Sequence, residues 1–124
     1  METIYTKQAP DAIGPYSQAI VAGELIFTSG QIPIDPATGT VEAQSIEAQT
    51  EQVMKNLQAV LKAAGSDLAK AVKTTCFLSS MDDFAAFNEI YARYFTGKPA
   101  RSCVAVKTLP KNVKVEVEVI AVRG

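Results

Sequence analysis

Arg101, Cys103, Glu116 and Glu118 are the side chains whose types and spacing bear most on chemistry. Arg101 and Cys103 lie two apart in Ala100-Arg101-Ser102-Cys103-Val104, so an extended chain puts them on one face. The Arg101 guanidinium is either a surface charge or a planar fork for a carboxylate, which it matches bidentately as an ammonium does not. Between Val113 and Ala121 the alternation places Val113, Val115, Val117, Val119 and Ala121 on one face of a strand, and Lys114, Glu116, Glu118 and Ile120 on the other. Glu116 and Glu118 then belong to a solvated stripe or face a pocket. In a pocket, desolvation adjusts a carboxyl pKa toward general acid or base work. Periodicity does not separate the two. Their face turns apolar at Ile120 and Val122, which a solvated stripe does not require.

Composition narrows the chemistry further. The sequence has no histidine, which excludes Ser-His-Asp and Cys-His catalysis, and its two cysteines, Cys76 and Cys103, are too few to make a zinc site or a disulfide scaffold. With no imidazole to activate a thiol, both cysteines read as small buried apolar residues. Twelve basic against thirteen acidic residues leave a net charge of −1 with no basic stripe, which disfavours nucleic acid and anionic membranes as partners. The N-terminal METIYTKQAP has neither a signal-peptide core nor a basic presequence, and no apolar run is long enough to span a bilayer. The expectation is a soluble, cytoplasmic protein forming one domain over residues 1–124.

The elements that must position these residues are readable in outline. Thr3–Thr6 is compatible with a short strand, and Ser17–Val21 and Leu25–Ser29 with a hairpin turning at Gly23. Pro10 to Pro15 and Gln31 to Thr40 are loops, rich in proline and glycine. Tyr16, Ser29 and Gly30 stand at loop boundaries, where polar groups face ligands or simply make turns. Ile46, Val53, Met54, Leu57, Val60, Leu61 and Ala64 form one helical stripe between an N-cap at Ser45 and a stop at Gly65. Ala71–Leu78 reads as a strand parallel to Leu25–Ser29 through a βαβ crossover. A second helix follows Ser80 as a capping box, with a core stripe of Phe84, Phe87, Ile90, Tyr91, Tyr94 and Phe95. The last two strands are joined by a turn at Pro110. Two helices cover one face of a sheet of about six strands, and the other face calls for further copies of the chain.

Pro99-Ala100-Arg101-Ser102-Cys103-Val104, Leu109-Pro110-Lys111 and Val115-Glu116-Val117-Glu118, with Ile13-Gly14-Pro15-Tyr16-Ser17 and Thr28-Ser29-Gly30-Gln31-Ile32-Pro33, closely resemble the RidA family of the YjgF superfamily, the reactive-intermediate deaminases. The resemblance covers nearly the whole chain. It implies an α+β, chorismate-mutase-like subunit with a mixed sheet, a homotrimer with a central barrel, and sites between subunits. It further implies hydrolysis of 2-imino acids such as 2-iminobutanoate and 2-iminopropanoate to 2-oxo acids and ammonia, with no metal or organic cofactor. By motif, Arg101 grips the substrate carboxylate, Glu116 positions or protonates through a water, and the Cys103 carbonyl helps hold that water. Tyr16, Ser29 and Gly30 line the pocket, and Asn88 approaches it from a neighbouring subunit. The short Phe95-Thr96-Gly97-Lys98-Pro99 link, where several relatives carry a longer loop, bears on substrate size. The alternatives are a non-enzymatic module binding small carboxylates and, less in keeping with the charge, a ribonuclease or translation inhibitor.

Overall fold

A computed structural model describes residues 1–124 as six strands and two α-helices, an α+β fold with both helices on one face of a mixed sheet. The strands are β1 Glu2–Ile4, β2 Ala19–Ala22, β3 Leu25–Thr28, β4 Ala71–Leu78, β5 Ala100–Ala105 and β6 Val115–Val122; helix α1, Ile46–Ala63, precedes β4, and α2, Phe84–Tyr94, follows it. The sheet order is β1-β2-β3-β6-β4-β5, antiparallel throughout except between β4 and β5. No helix is long and apolar enough to cross a membrane.

Local signals set the ends of these elements. Gly23, at φ +59°, turns β2 into β3 with Ala22 opposite Leu25, a conformation that suits glycine. Ser45 caps α1 by accepting from the Ala48 amide at 3.1 Å. At the other end Gly65, at φ +82°, completes a Schellman motif, with its amide on Lys62 O and that of Ser66 on Leu61 O. Ser80 does cap, but it caps a 3₁₀ turn over Met81–Asp83; α2 starts only at Phe84, and no side chain caps it.

The turn at Pro110 is present, but two connections run differently from a simple reading of the chain order. β5 and β6 do not pair across Pro110, because β4 lies between them. The 106–114 connection is long enough to pass the end of β4, and Lys111 and Asn112 both take positive φ there, giving an irregular 3₁₀ turn instead of a hairpin. β4 does run in the direction of β3, but β6 separates them, pairing antiparallel with both. Inserted there, β6 satisfies backbone groups on β4 from Val115 to Ala121 and on β3 from Ile120 to Val122.

The core forms where the valines of β6 meet α1 and α2. Val115, Val117, Val119 and Ala121 are buried with Val53, Met54, Leu57, Val60 and Leu61 of α1 and with Phe87, Tyr91 and Phe95 on and just after α2. The opposite sheet face is open. Leu25, Phe27, Val104 and Val122 are each more than a third exposed on it, with Leu25 beside Val122 and Phe27 beside Ile120.

Three buried amide side chains hold the irregular segments to this frame. Gln18 takes the Thr6 amide on Oε1, and its Nε2 donates to the Thr6, Ala9 and Pro10 carbonyls. Gln49 accepts the Lys114 amide and donates to Ala43 O. Asn56 Nδ2 donates to Ile32 O at 3.1 Å and Ile34 O at 2.9 Å, tying the 31–34 loop to α1. Replacing Asn56 by the similarly sized leucine leaves Ile34 O without a donor and Ile32 O with the Ile34 amide alone, a loss on the order of 1–3 kcal/mol. The urea midpoint of Asn56→Leu is expected to fall with no change in m-value.

Candidate functional site

Glu116 occupies the open face of β6, between the buried Val115 and Val117. Reciprocal backbone bonds between Gln31 and Val117 at 2.8 and 3.2 Å bring the 29–34 loop alongside it. Gly30 is thereby pressed under the Glu116 carboxylate: a Cβ on Gly30 would fall on Glu116 Oε2 and within 2.9 Å of Cδ. Gly30 does not have a positive φ, so close approach alone requires glycine here. The Ser29 amide bonds Gln18 O and its hydroxyl bonds Ser17 O, which joins the loop to the segment carrying Tyr16. Tyr16, Gln18, Ser29, Gly30, Pro110 and Glu116 line a pocket of about 350 Å³, of a size suited to a small metabolite.

Burial pushes the Glu116 carboxyl above the ordinary carboxylate range, and the neighbouring Glu118 charge pushes it in the same direction. Glu118, two residues on, is exposed and lies outside the lining of that pocket. The pair that periodicity left equivalent is therefore separated by the loop that closes over Glu116 alone.

Arg101 lies elsewhere. On β5 it stands in register with Thr74, which is also opposite Val119 on the helix-covered face. Its Nη1 donates to Asn88 Oδ1 at 2.6 Å, and its Cζ lies 4.7 Å from the Tyr91 ring centre and 5.4 Å from that of Phe84. Asn88, Tyr91, Lys98, Pro99 and Arg101 border a second depression of about 320 Å³. Asn88, expected to approach the pocket from a neighbouring subunit, borders this depression beside Arg101 of its own chain.

Cys103 is on the Arg101 face, in register with Cys76. Val106 donates to Leu78 O across the β4–β5 gap, so the alternation of a strand turns the backbone groups of Arg101 and Cys103 toward the free edge. The Cys103 carbonyl is thereby directed away from β4. Burial raises the Cys103 thiol pKa despite the opposing pull of Arg101, and burial pushes Cys76 up to about 12. Neither cysteine is poised as a thiolate nucleophile.

Within one chain, then, Tyr16, Ser29, Gly30 and Glu116 come together, as do Asn88 and Arg101, with Cys103 on the same strand and face as Arg101. The two sets occupy opposite faces of the sheet. No group of three or more His, Cys, Asp or Glu side chains is arranged to hold a metal ion.

Residues 6–123 match the protein family described as Endoribonuclease L-PSP. The chain is 54% identical over 121 residues to the RutC family protein y4sK of Sinorhizobium fredii, covering 97% of this chain and 96% of that one. To the 2-iminobutanoate/2-iminopropanoate deaminase of Salmonella typhimurium it is 49% identical, covering 98% of each chain. The crystal structure of the yjgF gene product of E. coli superposes with a TM-score of 0.94 over all of both chains at 48% identity.

The chain belongs to the RidA/YjgF family. The residues that carried the resemblance sit in this RidA-family fold as two sets, each with its own supports, and the supports are what sequence reasoning missed. Gln49 and Asn56 fall on the apolar stripe of α1, at the spacing of Ile46, Val53 and Val60, and polar residues on a buried stripe are a legible sign of a bonded role. Gln18 and Thr74 offered no comparable signal.

Gly30→Ala is expected to move the Glu116 carboxylate out of place. Its melting temperature should stay within a few degrees of the parent, while the raised Glu116 pKa relaxes toward the ordinary carboxylate value as the group loses burial; circular dichroism and NMR titration of the carboxyl on one preparation check this. Glu116 also predicts a pH effect on stability. Below the ordinary carboxyl value of 4.5 the group is protonated in folded and unfolded chains alike, and its contribution to stability is fully present. As pH rises through the raised folded value, ionisation against burial and Glu118 removes that contribution. Across that window the parent should lose stability relative to Glu116→Gln, as read by denaturant midpoints at stepped pH.

Proposed function

We propose that this RidA-family chain hydrolyses 2-imino acids, such as 2-iminobutanoate and 2-iminopropanoate, to 2-oxo acids and ammonia, in sites formed between adjacent copies of a homotrimer. The observation that carries the proposal is the division of the site. Arg101, bonded to Asn88, lies on one face, Glu116 over Gly30 lies on the other, and the open face carries apolar side chains that a second copy would cover. The Salmonella relative bears the name of this activity.

In such a site Arg101 takes the substrate carboxylate bidentately and orients the imine carbon. A water lies between the Glu116 carboxyl and the Cys103 carbonyl, which fix its lone pair toward that carbon. Its oxygen adds to the C=N carbon while one water proton passes to the nitrogen to give a carbinolamine; the remaining hydroxyl proton then reaches the amine as the C–N bond breaks, releasing ammonia and leaving the 2-oxo acid. Burial keeps a proton on Glu116 to a higher pH than usual, which suits it to supply one through the water. The imine carbon is already electrophilic, so orientation and a polarised water supply what the reaction needs.

RNA cleavage is the activity that the family's description suggests. A net charge of −1 and the lack of histidine give RNA neither a phosphate-binding stripe nor an imidazole base. A threonine dehydratase coupled to the protein should release 2-oxobutanoate faster than the dehydratase alone, and Arg101→Ala should abolish the gain. No acceleration would leave a small-carboxylate-binding module in its place. Mixing refolded Arg101→Ala and Glu116→Gln chains one to one tests the shared site. If halves come from different subunits, about a quarter of the sites regain both groups, whereas sites confined to one chain regain none.

A further inference from the structure

An arginine on an edge strand is a long arm with many rotamers, and fixing it on a ligand costs entropy that weakens binding. Arg101 is already confined, and the confinement can be traced inward. Its guanidinium lies over the Tyr91 ring at 4.7 Å. Tyr91 is only 7% exposed, stacks on Phe95 with ring centres 4.5 Å apart, and meets Phe87 at 5.7 Å. Its hydroxyl shares a 2.7 Å hydrogen bond with that of Thr74, which is fully buried. Thr74 is the residue in register with Arg101 on the neighbouring strand, so the strand pairing that places the arginine also places the hydroxyl that holds the ring. Phenylalanine and valine would fill nearly the same volume, so the hydroxyl pair adds a fixed ring orientation beyond packing.

We propose that Tyr91 is a positioning residue for Arg101: Thr74 locks the Tyr91 ring, and the ring holds the guanidinium over its face, with Asn88 restraining it by a hydrogen bond and its remaining donors left for the ligand carboxylate. This rests on the carboxylate-binding role given to Arg101 above. The carboxylate is common to substrate, transition state and product. Loss of the platform therefore weakens all three alike, which moves KM and the product Kd and spares kcat.

The test measures 2-oxobutanoate binding by calorimetry and KM and kcat in the dehydratase-coupled assay. Tyr91→Leu should raise Kd and KM about tenfold with kcat within about twofold. Tyr91→Phe and Thr74→Val should each raise them about threefold, and the double variant should be no worse than either, because both changes remove one shared bond. An unchanged Kd in folded Tyr91→Leu, a fall in kcat at constant KM, or multiplying effects in the double variant would overturn the proposal. Should Tyr91→Leu not fold, the Phe and Val variants decide it. A parent protein that does not bind 2-oxobutanoate also overturns it. One that binds without accelerating deamination overturns the deaminase reading alone, and the Kd series still decides the role of Tyr91.

Discussion

The pairing of β6 with β4 on one side and β3 on the other decides which of its side chains meet the helices and which meet the open face. Because side chains alternate at a period of two, a slip of one residue would drive Glu116 and Glu118 into the core and expose four small apolar side chains. The hydrophobic cost of that slip fixes the register. The register in turn fixes Glu116 beside Gly30 and, through the Thr74 pairs, Arg101 beneath α2. Both sets of residues are thus placed by one strand that contributes a residue to only one of them.

Around this frame, placement depends on buried amides more than on apolar contact. Gln18, Gln49 and Asn56 each bond backbone groups of segments that have no ladder of their own. Hydrophobic burial is non-directional and tolerates small shifts, whereas a bonded carbonyl sits within a few tenths of an ångström of one position. The 29–34 loop therefore lies so close to Glu116 that a side chain at position 30 would displace the carboxylate.

Much of this was legible in the sequence. The α1 stripe, its Ser45 cap, the Gly65 stop and the valine face of β6 are local patterns, and local patterns report secondary structure and burial well. The open face was visible as the apolar turn at Ile120 and Val122. Strand order was not, because a turn at Pro110 suggests neighbours whatever the tertiary pairing, and only the competition for β4 and β3 put β6 between them. The aromatic stripe of α2 was read as core, and Phe87 and Tyr91 are core; that the rings of Tyr91 and Phe84 also carry a guanidinium depends on β5 lying beneath them. Arg101 and Glu116, read as partners, share no face within a chain, since no pattern along one strand states the face of another.

The position of β6 also orders events in time. Of the six strands it is the last to be synthesised, yet it fills the gap between β3 and β4. Until it emerges, the β1-β2-β3 meander and the β4-α2-β5 unit have no shared ladder, and each presents an unpaired edge beside apolar surface. A nascent chain of this kind completes its sheet only after translation has passed residue 122, which makes β6 insertion the step at which chaperone binding and self-association compete with folding.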